Sequence, residues 1–142
     1  MNVSYQEGAL QEILIRTKGY TYFLQEWGKH SWQCASGNVI TQQDAIEATD
    51  LAISELDSSF FRVRLERLTP SEKKYLRAMA ELGPGPHRSG DVAQLLNKEV
   101  QAFGSVRATL IGKGMIYSPS HGDTSFTVPL FDDYMKRVMP SF

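Results

Sequence analysis

Thr69-Pro70-Ser71-Glu72 is the most restrictive local signal in this chain. The threonine hydroxyl can accept from the N–H three residues on, and a glutamate there can accept from the threonine's own N–H. The proline gives up only an N–H that a helix start leaves unpaired. A helix is therefore expected to begin here. Tyr75, Leu76, Met79, Ala80 and Leu82 give it an apolar stripe at helical spacing, and Gly83-Pro84-Gly85-Pro86 ends it. A second, short helix is expected from Ser89, with Asp91 in its first turn, Val92, Ala93, Leu95 and Leu96 buried, and a turn at Asn97-Lys98. A third is expected over 101–113, burying Phe103, Val106 and Leu110 and stopping at Gly114, where a left-handed cap favours glycine. Two strand-like runs, 115–118 and 125–128, flank a loop over 119–124, and an amphipathic helix over 130–139 closes the chain.

Helix, helix, helix, hairpin and helix in that order form the pattern of a winged helix-turn-helix, with the loop as the wing tip. The amino-terminal half reads as helical too. Ala9, Leu10, Ile13 and Leu14 recur at helical spacing over 5–16, and Lys18-Gly19 ends the segment. A second helix over 21–35 packs Phe23, Leu24, Trp27 and Trp32, with Gly37-Asn38 as its stop. The third opens on the capping pattern Thr41-Gln42-Gln43-Asp44 and runs through Ala45, Ile46, Ala48, Leu51, Ala52, Ile53 and Leu56. After Asp57-Ser58-Ser59, the rhythm of Phe60, Phe61, Leu65 and Leu68 predicts a short connecting helix with Arg62, Arg64 and Arg67 on its wet side. Without Gly or Pro it is a coupling element and not a floppy linker. The expected fold is mainly α: a three-helix, lid-like bundle over 1–57, a connecting helix over 58–68, and a winged helix-turn-helix with a small β-hairpin wing over 69–142.

A length of 142 residues, with 42% hydrophobic and 22% charged residues, allows a real core and argues against disorder. No apolar run approaches the roughly 20 residues of a membrane span, and Met1-Asn2-Val3-Ser4 lacks the features of a signal peptide. Cys34 is the single cysteine, so no internal disulfide forms, and a cytoplasmic location without membrane attachment is expected. The net charge of −1 divides unevenly: residues 1–68 carry 6 Lys/Arg against 9 Asp/Glu, and residues 69–142 carry 9 against 7. That asymmetry directs any nucleic-acid contact to the carboxyl half, although +2 is far from a strongly basic patch.

Within that half the outward face of the third helix carries Gln101, Ser105, Ala108, Thr109 and Gly112. Of these only Gln101 belongs to the side chains that most often read base edges. Arg107 and Lys113 fall on its flanks, and Arg88, Ser89 and Lys98 lie near the second helix and the turn, where they suit phosphates. Ser118, Ser120, His121 and Thr124 offer backbone contacts from the wing. The candidate DNA-binding set is thus Arg88, Ser89, Lys98, Gln101, Ser105, Arg107, Lys113 and His121. His30 and Cys34 have the i, i+4 spacing of a metal pair, but His87 and His121 are isolated and no second cluster completes the ligands, so no metal is expected. The aromatic run Tyr20, Tyr22, Phe23, Trp27 and Trp32 reads as core before it reads as a stacking platform.

Residues 17–28, Thr-Lys-Gly-Tyr-Thr-Tyr-Phe-Leu-Gln-Glu-Trp-Gly, together with 57–64 and Leu68-Thr69-Pro70-Ser71-Glu72, resemble the carboxyl-terminal region of bacterial AAA-superfamily ATPases near the origin-recognition type and the signal-transduction NTPases. In such proteins a nucleotide-binding core is followed by a helical lid and a winged helix. The resemblance covers essentially the whole chain and is most specific at 19–27 and in the wing. No Gly-x-x-x-x-Gly-Lys-Ser/Thr occurs here, so ATP and magnesium are expected only with a core this chain lacks, and no catalytic residue or cofactor is expected within it. Related lids often place an arginine after Gly-x-Pro; the corresponding residues here are Gly19-Tyr20-Thr21-Tyr22, and Tyr22 carries no charge. The resemblance implies a non-catalytic regulatory and DNA-binding end of an AAA-type protein, working with the ATPase core in cis; the residues of the third helix's outward face make the expected duplex contact weak and without sequence preference. The alternative is a winged-helix interaction module that docks a partner protein or a second ATPase subunit.

Overall fold

A computed structural model describes residues 3–141. The fold is mainly helical with a small β-sheet, and the chain divides into two compact units, Met1–Arg62 and Val63–Phe142.

The first unit packs α1 (Glu7–Thr17), α2 (Thr21–Cys34) and α3 (Gln42–Leu56). Thr41 caps α3 as its sequence demands: its hydroxyl accepts from Asp44 N at 3.1 Å, and Asp44 Oδ2 accepts from Thr41 N at 2.9 Å. The core is built by size matching. Ala45, Ala48 and Ala52 present a small-residue face on α3, which leaves room for Phe23 and Trp27, both fully buried on α2. Trp27 Nε1 donates to Thr49 Oγ1 at 3.0 Å, so the indole carries no unpaired N–H into the core. Leu10 and Leu14, expected inside, are about half exposed, because Ala9 and Ile13 are the residues of α1 that face the bundle. Trp32 is likewise 49% exposed.

Two features differ from the expectation. Tyr5, placed at the start of the first helical segment by periodicity, instead forms with Ser4 a two-residue strand β1 (Ser4–Tyr5) parallel to β2 (Val39–Ile40), and α1 begins only at Glu7. The pairing is non-local, with Ser4 N donating to Asn38 O at 3.0 Å and Gln6 N to Ile40 O at 2.9 Å. Asp57-Ser58-Ser59 also does not interrupt the helix. The backbone passes from α3 through a π-turn at Asp57–Phe61 into α4 (Arg62–Glu66). Ser58 Oγ and Ser59 Oγ both donate to Glu55 O, at 3.1 and 2.7 Å, and so supply a carbonyl whose usual helical partner the wider turn displaces. The turn buries Phe61, with Phe60 and Phe61 each making edge-on contact with Phe23 at 5.8 and 6.0 Å.

The second unit is arranged around α5 (Pro70–Glu81), followed by β3 (His87–Arg88), α6 (Ser89–Leu95), a 3-10 turn at Val100–Phe103, α7 (Gly104–Gly112), β4 (Ile116–Tyr117), β5 (Asp123–Phe126) and α8 (Phe131–Val138). Tyr75, Leu76, Ala78, Met79 and Ala80 are all buried, so α5 is enclosed on more than one side. Phe131, Tyr134 and Met135 bury the inner face of α8. Arg77 is the charged exception on α5. Its guanidinium donates to Met139 O and Pro140 O and pairs with Glu81 at 2.8 Å, which fixes the chain beyond α8.

The sheet has three strands in the order β3-β5-β4, all antiparallel, with His87 opposite Thr124 and Ile116 opposite Phe126. Sequence patterning finds the hairpin but misses β3, which is two residues long. The expected third helix divides into the 3-10 turn and α7, with Leu110 fully buried and Phe103 and Val106 half-buried. Gly114 takes the left-handed conformation expected of it, at φ +74°. No helix among the described residues is long and apolar enough to cross a membrane.

Candidate functional site

The start of α5 and the end of α7 meet at one carboxylate. Thr69 closes the expected capping box, with Glu72 Oε1 accepting from Thr69 N at 2.7 Å. The same oxygen accepts from Lys113 Nζ at 2.7 Å, and Glu72 Oε2 accepts from Thr109 Oγ1 at 3.0 Å. Burial pushes the Glu72 carboxyl up, but the Lys113 ammonium, the Thr69 N–H and the Thr109 hydroxyl outweigh it and hold the group at about 2. Lys113 also donates to Arg67 O at 3.0 Å, so this ammonium, a phosphate candidate by position, is tied into the fold.

Arg107 is engaged as well. From α7 it donates through Nε to Thr124 Oγ1 and through Nη2 to Asp123 O, each at 3.0 Å, and so fastens the helix to β5. Thr124 Oγ1 lies 3.0 Å from Ser89 Oγ, which joins the first residue of α6 to the same point. Beneath them stands Tyr75, 1% exposed, with no hydrogen-bond partner for its hydroxyl among the described residues. Burial raises the Tyr75 pKa, and the Thr124 and Ser89 hydroxyls and the Arg107 charge offset part of that rise.

Ser89, Gln101, Arg107 and His121 line one cleft of about 390 Å³ between the 3-10 turn and the β4–β5 loop. An adjoining cleft of about 280 Å³ takes in Arg88, Ser89 and His121. These five of the candidate residues are therefore brought together. The other three lie elsewhere: Lys98 is exposed with its Nζ 6.0 Å from the Phe103 ring centre, while Ser105 and Lys113 border the hollow around Glu72. Gln101, Ser105, Ala108, Thr109 and Gly112 are all exposed, as the outward-face reading requires. Sequence reasoning missed Tyr75 as part of this region, because it reads as one more apolar-stripe residue. Thr124, expected to contact the DNA backbone from the wing, is instead fully buried and bonded to Ser89 and Arg107.

In the first unit, His30 Nε2 faces Glu55 Oε2 at 2.5 Å and Glu26 Oε2 at 3.8 Å. These three side chains have metal-ligand chemistry and spacing. Lys29 Nζ, 2.9 Å from Glu55 and 3.5 Å from Glu26, already brings a positive charge to the carboxylates. Its hydrogen bond, followed by that of His30, holds the Glu55 carboxyl below its ordinary value.

A family model described as a domain of unknown function, DUF8462, matches residues 58–135, more than half of the chain. The match takes in α5, both clefts and the Glu72 hub, and leaves out the three-helix bundle. No curated protein matches the chain.

Proposed function

We propose that this chain, which belongs to the DUF8462 family, is a non-catalytic nucleic-acid-binding module whose second unit is a winged helix. The observation that carries this reading is an order of elements and a sheet order, β3-β5-β4, that match the winged arrangement, with an exposed α7 face free of acidic side chains. In this reading α7 and the 3-10 turn that precedes it enter the major groove, with Gln101 of the turn towards base edges. Arg88, Lys98 and His121, all exposed, reach phosphates on its two sides. Arg107 and Lys113, which have internal partners, support the surface and do not anchor it. With few free cations and exposed Asp91 and Glu99 nearby, the affinity is weak, falls with salt and depends little on sequence.

The resemblance to AAA-type carboxyl regions supports a further part of the proposal. The three-helix unit acts as a lid next to an ATPase core supplied by other sequence, and nucleotide-dependent movement of that lid repositions the winged helix. ATP and magnesium belong to that core.

Fluorescence anisotropy with a random duplex at two salt concentrations tests the DNA reading. Lys98→Ala and Arg88→Ala should each weaken all duplexes alike and flatten the salt slope by about one unit per lost phosphate contact. A second reading, protein docking, is favoured by the small, uncharged character of Ser105, Ala108 and Gly112 on the same face. Undetectable duplex binding at the lower salt, with loss of a protein partner in Ala108→Glu, would establish it over the first.

A further inference from the structure

The cleft beside the β4–β5 loop contains a hydroxyl that the fold does not use. Tyr75 Oη is buried without a partner among the described residues. A buried unpaired hydroxyl is destabilising, a cost that phenylalanine at the same place would not carry. The neighbouring Ser89 and Thr124 hydroxyls bond to each other, and Thr124 also accepts from Arg107. The guanidinium is held rigidly by two of its nitrogens, while its third, Nη1, has no hydrogen bond among the described residues.

The remaining walls complete a recognisable chemistry. No acidic residue lines the cleft; Gln101, Ser118 and His121 add polar groups, and Val100 and Phe103 form an apolar side. Its volume of about 390 Å³ lies in the range of small-molecule sites. We propose that this cleft binds a small organic anion, whose carboxylate or phosphate group accepts from Tyr75 Oη and Arg107 Nη1 while its apolar body lies against Val100 and Phe103. The inference does not depend on the DNA reading. A duplex phosphate presents the same oxyanion, however, so the test separates the two sources.

The intact chain, isotopically labelled, is titrated at constant ionic strength with inorganic phosphate, benzoate and phenyl phosphate, and separately with a short random duplex. Benzoate or phenyl phosphate should produce saturable shifts in the amides of Ser89, Gln101, Gly104 and Gly122, and inorganic phosphate should bind more weakly. Tyr75→Phe should reduce the affinity about tenfold, the value of one hydrogen bond to a charged group, while its Tm stays unchanged or rises. Gln101→Ala, at an exposed position, should weaken binding with no change in Tm. A Tyr75→Phe protein that binds as the wild type does, or that melts earlier, would overturn the proposal by assigning the hydroxyl to the fold. So would shifts that stay linear or absent with all three small anions, and saturation by the duplex alone would reassign the cleft to a backbone phosphate.

Discussion

Glu72 shows how one side chain can combine two roles that sequence reading keeps separate. Its place three residues after Thr69 identifies it as a cap, and that role is local. Its second role, receiving Lys113 and Thr109 from the far end of α7, comes from residues about forty positions away. Because its pKa is depressed from 4.5 to about 2 by folding, the unfolded chain binds the proton more readily than the folded one. The carboxylate's contribution is therefore complete above about pH 4.5 and is lost as pH falls towards 2. Thermal melts across that interval should show a steeper loss of Tm in the wild type than in Glu72→Gln. The variant itself should be less stable at neutral pH by about 1–3 kcal/mol. Equal pH slopes for the two proteins would contradict the assignment.

Between elements, the joint that matters most for the candidate surface is Arg107 on β5. Sequence periodicity places this arginine on a flank of the third helix and makes it a phosphate contact, whereas in the structure it clamps α7 to Asp123 and Thr124. Arg107→Ala should cost about 1–3 kcal/mol, with faster amide exchange in β5, because the removed guanidinium leaves a carbonyl and a hydroxyl without their donor. Lys98→Ala should change stability by no more than about 0.5 kcal/mol, as expected for an exposed side chain away from such a joint. Similar melting of the two variants would argue against the clamp. The π-turn after Leu56 makes a related point. A serine pair that sequence reading places at the junction between the bundle and the connecting helix bonds back to Glu55 O, and the aromatic contacts of Phe60 and Phe61 with Phe23 hold the wider turn in place.

Across the whole chain, the helical path from Gln42 to Glu66 and the open loop of residues 118–122 should respond very differently to a broad-specificity protease. The loop is exposed throughout, so the first internal cut should fall there, and residues 57–66 should be spared until later. Early cleavage inside 57–66 would mean that the helix is not maintained in solution. What the sequence determined by itself is local: the two Thr capping boxes, the glycine that ends α7, the apolar stripe of α5, and the order of helices and hairpin all follow from residues within a few positions of one another. What only tertiary structure decided is non-local. The β1–β2 and β3–β5 pairs are too short to announce themselves, and they exist because distant backbone groups find partners. The exposure of Leu10, Leu14 and Trp32 depends on which neighbours reach each helix face. For the candidate site, residue type and helical phase brought out Gln101, Ser89 and His121. The internal engagement of Arg107 and Lys113 and the unpaired hydroxyl of Tyr75 depend on atoms that meet only after the chain has folded, and periodicity carries no record of them.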